Sequence, residues 1–294
     1  MRYDINLTIE NRYGASTDGA RNLVRILPLN LPGHQQLISG KVEVSPRPDW
    51  REDRVDFFGN AVTEIACKGQ LHHMSVTLQA RVDRSADLPG EDLSPTLAGL
   101  AVDLTACNRL DGHSPHHFRA ASPRVHPTPE MTAFARAIVT PGMSVLELTR
   151  ALGGALYREM RFEAGVTDVN TPPEAAFANR HGVCQDFSHV MIACLRGIGV
   201  PAGYVSGFLR TIPPEGQPRL EGADAMHAWV RVWCGVAMGW VEFDPTNDQL
   251  VASDHVVVGY GRDYADVAPI RGILRTAGQQ TSHHLVDVIP LDAG

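Results

Sequence analysis

The chain of 294 residues is long enough for one large or two ordinary domains, each with its own core. Its 44% hydrophobic and 20% charged residues exclude a disordered polymer. A formal net charge of −7 with no long Lys/Arg run argues against general affinity for nucleic acid or anionic lipid, and no stretch approaches the roughly 18 apolar residues of a membrane span.

Residues 1 to about 85 read as an all-β unit. Tyr3–Ile9, Lys41–Val44, Val62–Ala66 and Met74–Val82 alternate polar and apolar residues between Gly-, Pro- and Asn-containing turns, and Phe57-Phe-Gly-Asn-Ala-Val62 reads as a hairpin turn entering a strand. The start has no continuous apolar run of the signal-peptide kind, so a cytoplasmic protein is expected. Ser85 to about Pro129 is rich in Pro, Asp, Ser and His and reads largely as connecting structure. Helical patterns follow over about Pro129–Val139 and Ser144–Met160, the second opened by a Ser144/Glu147 capping box.

A third helix carries the chemistry. Phe187, Val190, Met191, Cys194, Leu195 and Ile198 recur at threes and fours, with Gly199 as C-cap and Pro201 ending the pattern. Three residues back from Phe187 the same stripe reaches Cys184, which places a thiol on the inward face at the positive end of the helix. Strand candidates cover about Ala202–Arg210, Met226–Cys234 and Gly239–Asp244, with a proline-rich loop from Thr211 to Ala223. Val251–Ile273 reads as Gly-rich and irregular, and His284–Ile289 as a last strand. Domains are therefore expected at 1–85 (all-β), 86–128 (connecting) and 129–294 (catalytic, with a C-terminal strand segment).

Cys184, His227 and Asp244 together supply a nucleophile, a base and an orienter for amide chemistry. If Gly235–Met238 is a four-residue turn, Cys234 lies opposite Gly239, His227 opposite Thr246 and Asp244 opposite Trp229. His227 and Asp244 then become diagonal neighbours on one sheet face, within reach of each other. A slip of one residue would send Asp244 to the other face. Cys67, Cys107, Cys194 and Cys234 read as small buried hydrophobes, since five cysteines with no CxxC pairing make neither a disulfide framework nor a zinc knuckle. His113, His116 and His117, the pair His72-His73 and the pair His283-His284 read as solvated imidazoles, and no metal or cofactor is expected.

Gly182-Val-Cys-Gln-Asp-Phe-Ser-His189, His227-Ala-Trp229 and Phe243-Asp-Pro-Thr-Asn247, taken in order, resemble the transglutaminase-like superfamily. Phe58-Gly-Asn-Ala-Val62 and Gly259–Gly272 are similar to the N-terminal and C-terminal parts of its bacterial members. The resemblance implies an α+β fold: a papain-like core, with the cysteine-bearing helix packed on an antiparallel sheet or barrel, preceded by a small all-β domain. It makes Cys184 the nucleophile, His227 the base and Asp244 the residue that fixes the imidazole tautomer. Trp229 is expected to wall the site and touch substrate, while Asp186 is read as a structural carboxylate at its helix start. The calcium-ligand cluster of animal transglutaminases is not apparent.

The implied reaction is acyl transfer from an amide of a protein or peptide substrate through a thioester, with hydrolysis (protease or amidase) favoured. Transamidation of glutamine side chains and a non-catalytic binding protein are the alternatives. The residues leave open the substrate, the acyl acceptor, the second oxyanion donor, the oligomeric state and the job of the β unit.

Overall fold

The computed structural model describes residues 1–85, 90–211, 224–274 and 280–291. The predicted Thr211–Ala223 loop, Thr211 apart, lies outside them. Two very long strands, β1 (Arg2–Val24) and β4 (Ala61–Arg84), pair antiparallel along most of their length. The outer edge of β4 takes β2 (Gln35–Ser45) and β3 (Trp50–Val55). One face is apolar because the alternation holds: Tyr3, Ile5, Leu7 and Ile9 on β1 and Met74, Val76, Leu78 and Val82 on β4 are all buried. Two predicted strands, Val62–Ala66 and Met74–Val82, are thus one. The positive-φ Gly69 lies near Gly19 on β1, where the pairing register shifts, so the chain forms a bulge rather than a turn. The Phe57–Asn60 turn does form, closed by Asp56 and Asn60 between β3 and β4.

After β4 come α1 (Leu97–Ala106), α2 (Pro129–Ile138), α3 (Val145–Glu159), β5 (Arg161–Phe162), α4 (Pro173–Asn179), β6 (His181–Gly182) and α5 (Cys184–Gly197). α2 and α3 match their predicted ranges, and the Ser144/Glu147 capping box is formed. α1 falls in the stretch that reads as connecting, and α4 carries no sequence signal of its own; both are short and lie among prolines that mask their pattern. α5 is the hub, buried from Gln185 to Arg196. It ends as predicted: Gly199 adopts positive φ and Val200 N–H returns to the Leu195 carbonyl, a Schellman closure. The stripe does not foretell how its polar residues are buried. Arg196 donates to the carbonyls of Ala120, Ala202 and Arg262 and to Ser122 Oγ, tying three segments to the helix.

The second sheet contains β7 (Ala202–Leu209), β8 (Ala225–Trp233), β9 (Trp240–Asp244), β10 (Gln249–Leu250) and β11 (His255–Gly261), in the order β10-β9-β8-β7-β11. β10 and β11 occupy opposite edges yet only four residues separate them, so the sheet must curl to bring its edges together. Gly235–Met238, a one-turn helix α6, joins β8 to β9 and sets Trp233 opposite Trp240, Val232 opposite Val241 and Arg231 opposite Glu242. That is the predicted register.

Val251–Ile273 is not irregular: it supplies β11, the short helix α7 (Tyr264–Val267) and the start of β12 (Ile270–Leu274). The C-terminal strand segment also belongs elsewhere than predicted. β12 and β13 (Gln280–Leu291) both pair with β1 and so complete the first sheet rather than the catalytic unit. Strand partners at opposite ends of the chain leave no local trace in the sequence.

The two sheets share a core, since Phe208, Val256 and Val258 of the second pack among the inner residues of the first. The first sheet and its turns also clothe β11 along its backbone. Gln35 exchanges two hydrogen bonds with Val257 at 2.8 Å each, and Asn60 exchanges two with Tyr260 at 2.7 and 2.8 Å. Leu29 N–H donates to the Val257 carbonyl, and Arg84 Nε to that of His255. Two buried amide side chains and a guanidinium therefore stand in for a neighbouring strand, satisfying polar groups that an uncovered edge would leave open. Among the described residues no helix is long and apolar enough to cross a membrane.

Candidate active site

Cys184 is the first residue of α5 and is half-buried. Its placement depends on Asp186, whose Oδ2 accepts the Val183 N–H at 2.8 Å and the Thr167 hydroxyl at 2.7 Å. The carboxylate thus caps the helix that presents the thiol, the structural part predicted for it. A Cβ at position 182 would come within 2.6 Å of Asp186 Oδ2, which is why glycine stands just before Val183-Cys184. Burial raises the Asp186 pKa above its ordinary value against these hydrogen bonds.

His227 lies near the start of β8 and Asp244 at the end of β9. His227 Nε2–H donates to Asp244 Oδ2 at 2.7 Å, and the Cys184 thiol lies close enough to the ring to help raise its pKa. The structure therefore brings the three predicted residues together in the order thiol, imidazole, carboxylate. Burial works against charge on the imidazole, but the hydrogen bond to Asp244 and its interactions with Asp244 and Cys184 outweigh it and raise its pKa to about 10. Asp244 is wholly buried. Burial would push its carboxyl up, yet hydrogen bonds from His227, His255 and Asn247 hold it well below the usual carboxylate range. Thr246 N–H donates to its other oxygen at 2.9 Å.

His189, in the same segment as Cys184, behaves oppositely. It accepts the Tyr264 N–H at 3.2 Å, and burial drives its pKa down to about 3, so it is a neutral packing group.

Trp229 requires a correction. Its ring is completely buried, tilted against His227 with centroids 6.1 Å apart, and its Nε1–H donates to Glu242 at 2.8 Å. A ring with no exposed surface cannot touch substrate; it backs the imidazole from inside the sheet.

His255 was missed. It is 1% exposed, opens β11, and its Nε2 lies 3.0 Å from the same Asp244 oxygen that His227 uses. The Gly-rich stretch around it had suggested irregular backbone, and no local motif marks it. Ligand atoms of His227, Asp244 and His255 all lie within 4.8 Å of one another, close enough to hold a metal ion, although each already makes a hydrogen bond of 2.7–3.0 Å. The histidine groups considered from sequence are elsewhere; His113, for example, lies near Arg231 and Tyr260.

A half-open cleft of about 830 Å³ lies between the first sheet and the helical side, lined by Asn11, Tyr13, Arg124, Val169, Tyr264 and Arg271 among others. Gln185, next to the nucleophile candidate, donates to the Val169 carbonyl of its wall.

Comparison with known proteins agrees with this architecture. Residues 132–245 match the transglutaminase-like superfamily, and residues 3–83 match the bacterial transglutaminase-like N-terminal region. An uncharacterized protein of Mycobacterium tuberculosis (strain H37Rv) is 33% identical over 304 residues, covering 99% of this chain and 93% of its own. One from Mycobacterium leprae is 28% identical over 286 residues, covering 95% of each. Among solved structures, a "Putative Cysteine Protease from Cytophaga hutchinsonii" superposes with TM-score 0.71 at 18% identity, covering 100% of this chain and 92% of that one, which is a likeness of fold.

Proposed function

Because the chain belongs to the transglutaminase-like superfamily, we propose that it is a cysteine enzyme that cleaves amide bonds of a protein or peptide substrate through a thioester. The observation that carries this reading is a single imidazole hydrogen-bonded to the buried Asp244 carboxylate and neighboured by the Cys184 thiol. The sulfur stands at a helix N-terminus beside an imidazole, the surroundings in which cysteine nucleophiles work.

In the first half-reaction the Cys184 sulfur bonds to the amide carbon, and the C–N bond breaks as His227 gives its proton to the departing amine. In the second, His227 takes a proton from water, which attacks the thioester and frees Cys184. Asp244 keeps the Nε2 proton in place, so Nδ1 is the atom that shuttles. The Cys184 N–H, one of the first-turn amides that helix geometry leaves without an intrahelical partner, is a natural donor to the oxyanion. A working thiol suits a reducing compartment such as the cytoplasm.

The test is incubation with a peptide library, with and without a primary amine, read by mass spectrometry. Peptides shortened by hydrolysis in both arms are expected. Amine adducts in place of hydrolysed products would make the acceptor an amine and the enzyme a transamidase. No product in either arm of a broad library would overturn acyl transfer.

A further inference from the structure

We propose that His255 is a positioning residue of the site, and that the N-terminal β region takes part in catalysis through it, by way of Arg84. This rests on the functional reading above and gives the β region a task.

Asp244 Oδ2 is shared by two imidazoles, His227 at 2.7 Å and His255 at 3.0 Å. A carboxylate at the end of a strand has a free χ1 and χ2 unless something fixes both oxygens. Here Thr246 N–H fixes Oδ1, while Asn247 Nδ2 and the two rings fix Oδ2. His255 comes from β11, at the far edge of the curled sheet, so Asp244 is held by donors from both β8 and β11. Its own orientation is held twice. The ring stands edge-on to Trp229, with centroids 5.1 Å apart and planes at 77°. Its carbonyl accepts Arg84 Nε–H at 2.9 Å, from a guanidinium 5% exposed at the end of β4.

The proton on His255 can be located. Nε2 faces a carboxylate and must donate, whereas Nδ1 is buried with no hydrogen-bond partner among the described residues. A bare lone pair is tolerated there better than an unmet N–H, which places the proton on Nε2. The ring therefore offers Asp244 a donor. The result is a line of contacts from the first sheet to the thiol: Arg84, His255, Asp244, His227, Cys184. A packing histidine would not need to aim a donor at a carboxylate already served by three others.

The experiment compares His255→Phe, which keeps ring size and removes the donor, with His255→Gln, which keeps a donor. The readout is the rate at which iodoacetamide alkylates Cys184 at pH 6, followed by peptide mapping, so no substrate is needed. Loss of a residue that orients a reacting group costs about tenfold or more. His255→Phe is expected to slow alkylation by at least that factor while melting cooperatively, and His255→Gln to recover most of the rate. Arg84→Met should slow it in the same direction but less, and it reads the same line of contacts should His255→Phe not fold. If peptide turnover is measured, kcat falls and KM holds. Variants that melt earlier but alkylate at the wild-type rate would reduce His255 and Arg84 to packing and overturn the proposal. A wild-type Cys184 that is itself sluggish would instead undo the functional reading.

Discussion

Replacing Cys184 with alanine is expected to abolish turnover, a loss of roughly 10⁴-fold or more, because no other group can form the thioester. The melting temperature should move by no more than about 2–4 °C, the shift that 1 kcal/mol produces in a chain of this size. The side chain is half-buried, stands beside a ring that Asp244 holds independently, and only packs against the edge of the buried core. The same substitution at Cys194, which is fully buried, should cost stability without touching chemistry. Turnover assays beside thermal melts of both variants separate the two effects. Full activity in Cys184→Ala would remove the nucleophile from the mechanism.

Asp244→Asn is the second large effect, and it tests orientation rather than nucleophilicity. The amide nearly matches the carboxylate in shape but can turn its NH₂ toward Nε2, which favours the wrong tautomer. In serine-protease triads the corresponding change costs about 10⁴-fold in kcat, and a fall of 10²–10⁴ is expected here. Stability should respond to pH as well. His227 is held at about 10 against an ordinary 6.5, so its charged contact stabilises the fold fully below about pH 6.5 and is lost as the pH rises through 10. Asp244 is depressed, so its share is present above its ordinary value of 3.8 and is lost as the pH falls below it. Both statements describe one buried pair and are not to be added. Melts between pH 7 and 10 should fall more steeply for the wild type than for Asp244→Asn. Parallel curves would mean that the pair does not carry the charge assigned to it.

How much of this was legible in the sequence depended on distance along the chain. Cys184, His227 and Asp244 could be placed because each sits on an element with a strong local signal. The 3.6-residue stripe leads back to Cys184, and a four-residue turn at Gly235–Met238 is enough to set the β8–β9 register. The same local logic gave the Ser144 capping box and the Schellman closure at Gly199. It failed where a partner lay far off. The glycines between 259 and 272 suggested irregular backbone, but Gly259 lets Asn60 approach β11, with Asn60 Oδ1 3.1 Å from where a Cβ would lie. Nothing near His255 announces that a curled sheet will carry it to Asp244, and nothing in β13 names β1 as its neighbour. Trp229 was misjudged for a related reason. Its place beside the base is evident from sequence, but Leu29 and Leu31 of the β1–β2 connection pack with Val205, Val257 and Tyr260 around it, and whether a ring is open or shut depends on what covers it.

The most direct test of the central claim is alkylation of the native wild-type protein by iodoacetamide at pH 6, with every cysteine followed by mass spectrometry. Cys194 and Cys234 are buried with pKa values raised to about 12, and burial raises Cys67 as well, so these thiols should stay unmodified over the experiment. Cys184 should react far ahead of all the others, and its lead should collapse in His227→Ala. A Cys184 that reacts no faster than the buried thiols, or keeps its rate without His227, would contradict the account.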